Sequence, residues 1–145
     1  MKAKLLLRIA SIVMLLHDLG HTFGHLTWKQ SPDSAKQEVI KQMTDNKFPF
    51  MGAVRSMSEY YDGYGFAATL ALLLIAALLW IASGVTEQNR VIVRRILVVV
   101  SIILLAWGID ELIFFFPFAA SFTLLAFLMT SISIFQLEMQ KKLNS

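Results

Sequence analysis

Cysteine is absent from the 145-residue chain, which excludes disulfides, thiolate metal sites and thiol redox chemistry. Charge is scarce as well. Only 16% of the residues are Asp, Glu, Lys or Arg, against about 25% in a soluble domain. There is no Gly-rich phosphate loop, no His-Glu-x-x-His helix and no Ser-His-Asp constellation, so nucleotide cradling and zincin-type proteolysis have no support. What is present is apolar. Hydrophobic residues make up 57% of the chain and come in long blocks, which favours a bilayer over a soluble core. The net charge of +3 and pI of 9.3 do not point to nucleic acid, because the basic residues flank the apolar runs, as membrane topology requires.

A spanning helix needs about 20 mostly apolar residues. Four stretches qualify, at about 5–26, 64–83, 92–116 and 118–135. Pro117 fits the turn between the last two, since it cannot continue a helix ladder. The fold class expected is an all-α, integral membrane, four-helix up-down bundle, a single membrane domain over residues 1–145. Lys2, Lys4 and Arg8 before a short apolar core imitate a secretory signal, but no small-x-small cleavage site follows. The first span is therefore expected to be retained.

Direction follows from basic residues. Lys2, Lys4, Arg8, Arg90, Arg94, Arg95, Lys141 and Lys142 fall on one side of a four-span protein. The first loop, about residues 27–61, carries Lys29, Lys36, Lys41, Lys47 and Arg55, balanced by acids. Both termini are expected to be cytoplasmic, in a bacterial inner membrane, with the bilayer as the principal partner and a homo-oligomer compatible with the pattern. Within the loop, Ser31-Pro32-Asp33 is a helix-start signal, and Ala35, Val39, Ile40 and Met43 recur at helical spacing. A short amphipathic helix is expected over residues 32–45. The run Phe48-Pro49-Phe50-Met51-Gly52 is too apolar to float in water and is expected to pack onto the bundle.

The histidines all lie in the first span. His17, His21 and His25 are four residues apart, so their rings share one helix face. Ionisable side chains inside a bilayer are costly and by default functional. Counting 1.5 Å per residue, His21 lies about 8 Å below the outer surface and His17 about 14 Å. On the third span, Trp107, Asp110 and Glu111 lie about 14, 9 and 8 Å deep. Asp62 stands at the entrance of the second span and Arg55 approaches from the loop. His17, His21, Arg55, Asp62, Trp107, Asp110 and Glu111 are thus candidates for one ligand-binding pocket in the non-cytoplasmic half of the bilayer. Asp110 and Glu111 are about 100° apart on their helix, so at most one points at the histidines. The serines and threonines of the fourth span, including Ser121, Thr123, Thr130, Ser131 and Ser133, are expected to pack or to bond carbonyls one turn back.

Three chemistries suit these residues. The leading one is binding of an ion or of a small apolar or lipid-like ligand. A divalent metal is the cofactor that the row admits, held by His17 and His21 or by His21 and His25, with Asp110 or Glu111 from the third span; His21, His25 and Glu111 are the set taken forward. The second is interhelical glue in a structural or assembly protein, since polar pairs also hold membrane bundles together. The third is an acid–base or metal-dependent enzyme acting on a lipid-like substrate through a His–carboxylate pair.

Three stretches carry a resemblance: Gly20-His21-Thr22-Phe23-Gly24, Phe48-Pro49-Phe50-Met51-Gly52-Ala53-Val54-Arg55, and Tyr61-Asp62-Gly63-Tyr64-Gly65-Phe66. Together they resemble a family of small bacterial four-span membrane proteins with no assigned activity. The likeness covers about half of the chain. It implies a bacterial membrane protein and draws attention to His21, Arg55 and Asp62.

Overall fold

The structure, a computed structural model, describes residues 2–85 and 89–143. Five helices and one hairpin follow along the described chain: α1 Lys2–Thr27, α2 Ser34–Asp45, β1 Lys47–Phe50, β2 Ala53–Ser56, α3 Met57–Val85, α4 Arg90–Phe114 and α5 Pro117–Leu143. The all-α reading holds apart from the hairpin. Three stretches are long and apolar enough to cross a membrane, Met57–Gly84, Arg90–Phe114 and Pro117–Met139, which fits an integral membrane protein. The helix read as the first span, α1, is not among them. Lys2, Lys4, Arg8, Asp18 and the three histidines dilute its apolar residues. The side chains of Lys141 and Lys142, counted above for topology, lie outside the described residues.

The chain divides into two compact units, with boundaries inside α1 and α3. One takes everything up to Asp18 and from Leu72 onward; the other is Leu19–Ala71.

In the first unit the helices meet along narrow stripes. α1 buries Ala3, Leu7, Ala10, Met14 and His17, alternately four and three residues apart, as a heptad seam requires. α4 buries Val93, Leu97, Val100, Leu104, Gly108 and Glu111 at the same kind of spacing. Small residues on these stripes let the backbones approach. The Ser11 hydroxyl reaches the carbonyl of Ala76 at 2.7 Å. A side chain at Gly108 would collide with Leu124 of α5. The pairs Arg94–Glu138, Ser101–Ser131 and Gly108–Leu124 are each equally far along the chain from Phe116 in the two directions. α4 and α5 are therefore an antiparallel hairpin that turns there. Pro117 takes the first position of α5, where its missing N–H has no ladder bond to lose. Arg8 lies over the Trp80 ring, 5.2 Å from its centroid.

In the second unit, α2 begins where the loop reading placed a helix start. Asp33 caps it, accepting from the backbone N–H groups of Ala35 and Lys36. Gln37 ties it back to the carbonyls of Lys29 and Ser31. Of its apolar positions only Ile40 is buried.

The expectation that Phe48–Gly52 packs onto the bundle is met only in part: the Phe48 ring stacks on that of Tyr60 of α3, with centroids 6.1 Å apart. These residues build an antiparallel hairpin in which Lys47, Phe48, Pro49 and Phe50 face Ser56, Arg55, Val54 and Ala53 in turn. Met51 and Gly52 close it with φ of 48° and 84°, the two left-handed conformations of a two-residue primed turn. The hairpin leaves its tip in the open: Phe50 and Met51 are exposed.

The second span also starts earlier than its hydropathy suggests, at Met57 rather than near Tyr64. A reciprocal cap is the cause. The Ser56 N–H donates to Glu59 Oε2 at 2.7 Å, and the Glu59 N–H donates to Ser56 Oγ at 3.2 Å. Such a capping box fixes a helix start even where the first turn is polar.

Candidate functional site

The sequence candidates fall into two groups, one in each unit. His17, Trp107, Asp110 and Glu111 belong to the first; His21, His25, Arg55 and Asp62 belong to the second.

In the first unit, His17 and Glu111 form a buried pair. His17 is 7% exposed and Glu111 4%, and His17 Nε2 lies 3.1 Å from Glu111 Oε1. The other ring nitrogen, Nδ1, lies 3.1 Å from the hydroxyl of Thr123. Phe122 stacks on the His17 ring at 5.8 Å. Each position follows from a packing stripe. His17 continues the seam of α1, Glu111 continues that of α4, and Thr123 sits among the buried Ala120 and Ala126 of α5. The phase of α4 also decides between its two acids. Glu111 falls on the buried stripe, while Asp110, a third of a turn away, is exposed. Trp107, one turn before Glu111, is partly buried against the apolar core.

Two properties of this pair matter chemically. A threonine hydroxyl both donates and accepts. It therefore serves a neutral His17, by donating to Nδ1, or a protonated one, by accepting from it, with no change of geometry. Glu111 also has an acceptor to spare. Its Oε2 is buried and has no hydrogen-bond partner among the described residues. A buried unsatisfied polar atom is uncommon in folded proteins and calls for an explanation.

In the second unit His21, Thr22 and Asp62 are hydrogen-bonded within the unit. His21 Nε2 lies 3.1 Å from the carbonyl oxygen of Gly65; a carbonyl only accepts, so this nitrogen carries the hydrogen. The hydroxyl groups of Thr22 and Thr69 are 3.1 Å apart. Trp28 Nε1 donates to Asp62 Oδ1 at 2.8 Å, and Lys29 Nζ to Asp62 Oδ2 at 2.7 Å. His25 stacks on His21 with ring centroids 6.2 Å apart and meets the Phe66 ring edge-on at 4.8 Å. The bare Cα of Gly65 makes room for it, since a Cβ there would fall inside the His25 imidazole. The motifs around His21 and Asp62 thus describe one seam between the end of α1 and the start of α3. Arg55 stands apart on the exposed face of β2, where its guanidinium donates to the carbonyl of neighbouring Val54.

The sequence-derived metal set is divided by this arrangement. Glu111 faces His17, and His21 and His25 face α3. Among the described residues no group of three or more His, Asp and Glu side chains is placed to hold one ion. Thr123 is the residue that sequence reasoning missed. Thr123 packs as expected, but its hydroxyl does not bond one turn back, as that of Thr130 does to Ala126 and that of Ser133 to Met129; it turns to His17 instead. The one available signal was its place on the stripe of small residues in α5. The chain matches no family model, no curated protein and no solved structure.

Proposed function

We propose that this is a four-span membrane protein with both termini in the cytoplasm, and that Glu111 binds a small ligand or ion in the non-cytoplasmic half of the bilayer. The observation that carries the binding reading is the unpartnered, buried Oε2 of Glu111. His17 and Thr123 fix the carboxylate through its other oxygen, so the free oxygen is aimed before anything binds. Preorganisation of this kind lowers the ordering cost of association. The ligand would be one that offers a proton or a positive charge to that oxygen on an otherwise apolar body. The bacterial four-span resemblance is compatible with this reading and names no ligand.

The span count rests on α1. Its buried stripe and the basic residues at its start suit a spanning helix, even though its polar residues lower its hydropathy. Reporter fusions after residue 45 should read non-cytoplasmic, and fusions after residue 89 cytoplasmic. A cytoplasmic reading after residue 45 would remove α1 from the membrane and the four-span topology with it.

Binding is tested by native mass spectrometry of the full chain, extracted from its membrane in a mild detergent. Wild-type protein should carry a non-protein adduct. Glu111→Gln keeps the shape and the bond from His17, but it puts an NH₂ donor where the free oxygen was, so the adduct should vanish while the fold persists. The same mass spectrum for both proteins would refute the site.

A second reading applies to the other unit. The bonds of His21, Thr22 and Asp62 favour interhelical glue for those residues, because each hydrogen bond found there ends on another part of the same seam.

A further inference from the structure

The β1–β2 hairpin is the least expected feature of the molecule, and neither the helix seams nor the Glu111 pair uses it. Its tip is apolar and open. Phe50 is 56% exposed, Met51 90% and Val54 56%. Isolated exposed apolar side chains are ordinary on a protein surface, but a contiguous group of them marks a contact site. Phe50 ends β1, Met51 stands in the turn and Val54 lies on β2 opposite Pro49, so the three surround the end of one two-stranded ribbon, with Phe50 and Val54 on opposite faces. Two basic residues, Lys47 and Arg55, form a collar behind the tip. Both are exposed, and neither takes part in any ion pair among the described residues.

The surroundings of the hairpin say what covers it. β2 ends at Ser56 and α3, which is long and apolar enough to cross a membrane, begins at Met57, so no linker separates the ribbon from that helix. α3 rises about 12 Å between Ser56 and Tyr64. Tyr64 and Phe66, both largely exposed, are aromatic residues of the type that sits at a membrane–water boundary. Four strand residues extend about 13 Å, long enough for the tip to return to that level. The one apolar phase always within reach of the tip is therefore the bilayer that α3 crosses. The collar matches the charge of its surface, since a cation just behind an inserted apolar tip sits at the depth of lipid phosphates.

We propose that the hairpin is a membrane anchor: Phe50, Met51 and Val54 enter the interface of the leaflet beside α3, and Lys47 and Arg55 bind the phosphate groups of anionic phospholipids there. A second apolar element on that side of the membrane would fix the loop of residues 27–61 at the surface, independently of whether Glu111 binds a ligand.

The absence of cysteine makes the test direct. A single cysteine in place of Met51, labelled with an environment-sensitive fluorophore, reports on the tip alone. Val54→Cys gives a second site, on β2, and Lys41→Cys, exposed on the face of α2 opposite its apolar stripe, serves as the water-facing reference. The full chain is placed in nanodiscs of phosphatidylcholine, with and without phosphatidylglycerol. With phosphatidylglycerol present, the tip labels should emit to the blue of the reference. They should also be quenched several-fold more strongly by spin labels on shallow acyl-chain carbons than by aqueous iodide. Lys47→Glu combined with Arg55→Glu should return both labels to the behaviour of the reference, with the helical circular dichroism unchanged. Tip labels that are quenched by iodide as readily as the reference in both lipid mixtures overturn the anchor. Insertion that ignores both phosphatidylglycerol and the charge reversal overturns the phosphate contact.

Discussion

His17→Ala should destabilise the protein by about 1–3 kcal/mol, the cost of leaving a buried acceptor without its hydrogen bond. The substitution takes away the donor to Glu111 Oε1 and leaves a carboxyl group that is 4% exposed with neither oxygen bonded to protein. Thr123 loses its partner too, but it can rotate to the carbonyl one turn back, as Thr130 already does, so its share of the loss is small. The informative comparison is His17→Leu combined with Glu111→Leu. Replacing both members of a buried pair by apolar residues is commonly neutral or stabilising, so the double variant should unfold close to wild type or above it. Equilibrium unfolding in mixed detergent micelles measures all three. The expected pattern of one costly single variant and one tolerated double variant means that stability does not require the pair, and it leaves binding as its reason. A double variant that unfolds as easily as His17→Ala would make the pair structural and would count against the ligand reading of Glu111.

Gly65→Ala should change sign with the residue at position 25. In the wild-type background the new Cβ falls inside the His25 ring, and the ring cannot swing away freely because it packs on His21, Tyr61 and Phe66. Overpacking of this kind costs about 1–3 kcal/mol. The displaced helix would also strain the bond from His21 to the Gly65 carbonyl. In a His25→Ala background the obstruction is gone. Only the intrinsic preference of a helix for alanine over glycine then remains, worth about 1 kcal/mol in the opposite direction. A double-mutant cycle on thermal unfolding in detergent should therefore show strong coupling of the two positions. Gly65→Ala that is equally harmful with and without His25 would mean that the glycine serves something other than this contact.

Legibility differed between the two halves of the problem. The ends of the helices could be read because their signals are local. Asp33 caps α2 from within its own segment, and Pro117 ends one ladder and starts the next. The capping box of Ser56 and Glu59 is equally local, but it starts α3 in a polar turn, where hydropathy gives no sign of a helix before Tyr64. The hairpin was hidden for another reason. Its turn is Met51-Gly52, and a methionine with positive φ carries none of the Asn-Gly or Asp-Gly chemistry by which such turns are recognised. Once an unannounced turn exists, an apolar run that looked fit for burial becomes a ribbon with an exposed tip.

The candidate site was legible as a set of residues and not as a set of contacts. Composition alone excluded thiol chemistry, and the long apolar blocks alone pointed to a membrane. Those conclusions need only the chemistry of each side chain and the length of each run. Which histidine meets which acid depends on helix rotation and register, and these are set by the packing of stripes from separate helices. His17 faces Glu111 in one unit and His21 faces the backbone of Gly65 in the other, each because of the stripes that meet within its own unit. The same packing turns Glu111 inward and Asp110 outward, although the two are neighbours of nearly identical chemistry. It recruits Thr123 from a residue that would otherwise satisfy itself, and it makes a glycine at position 65 the room for an imidazole. No single helix carries that information, since each specifies only its own face and not the one it will meet.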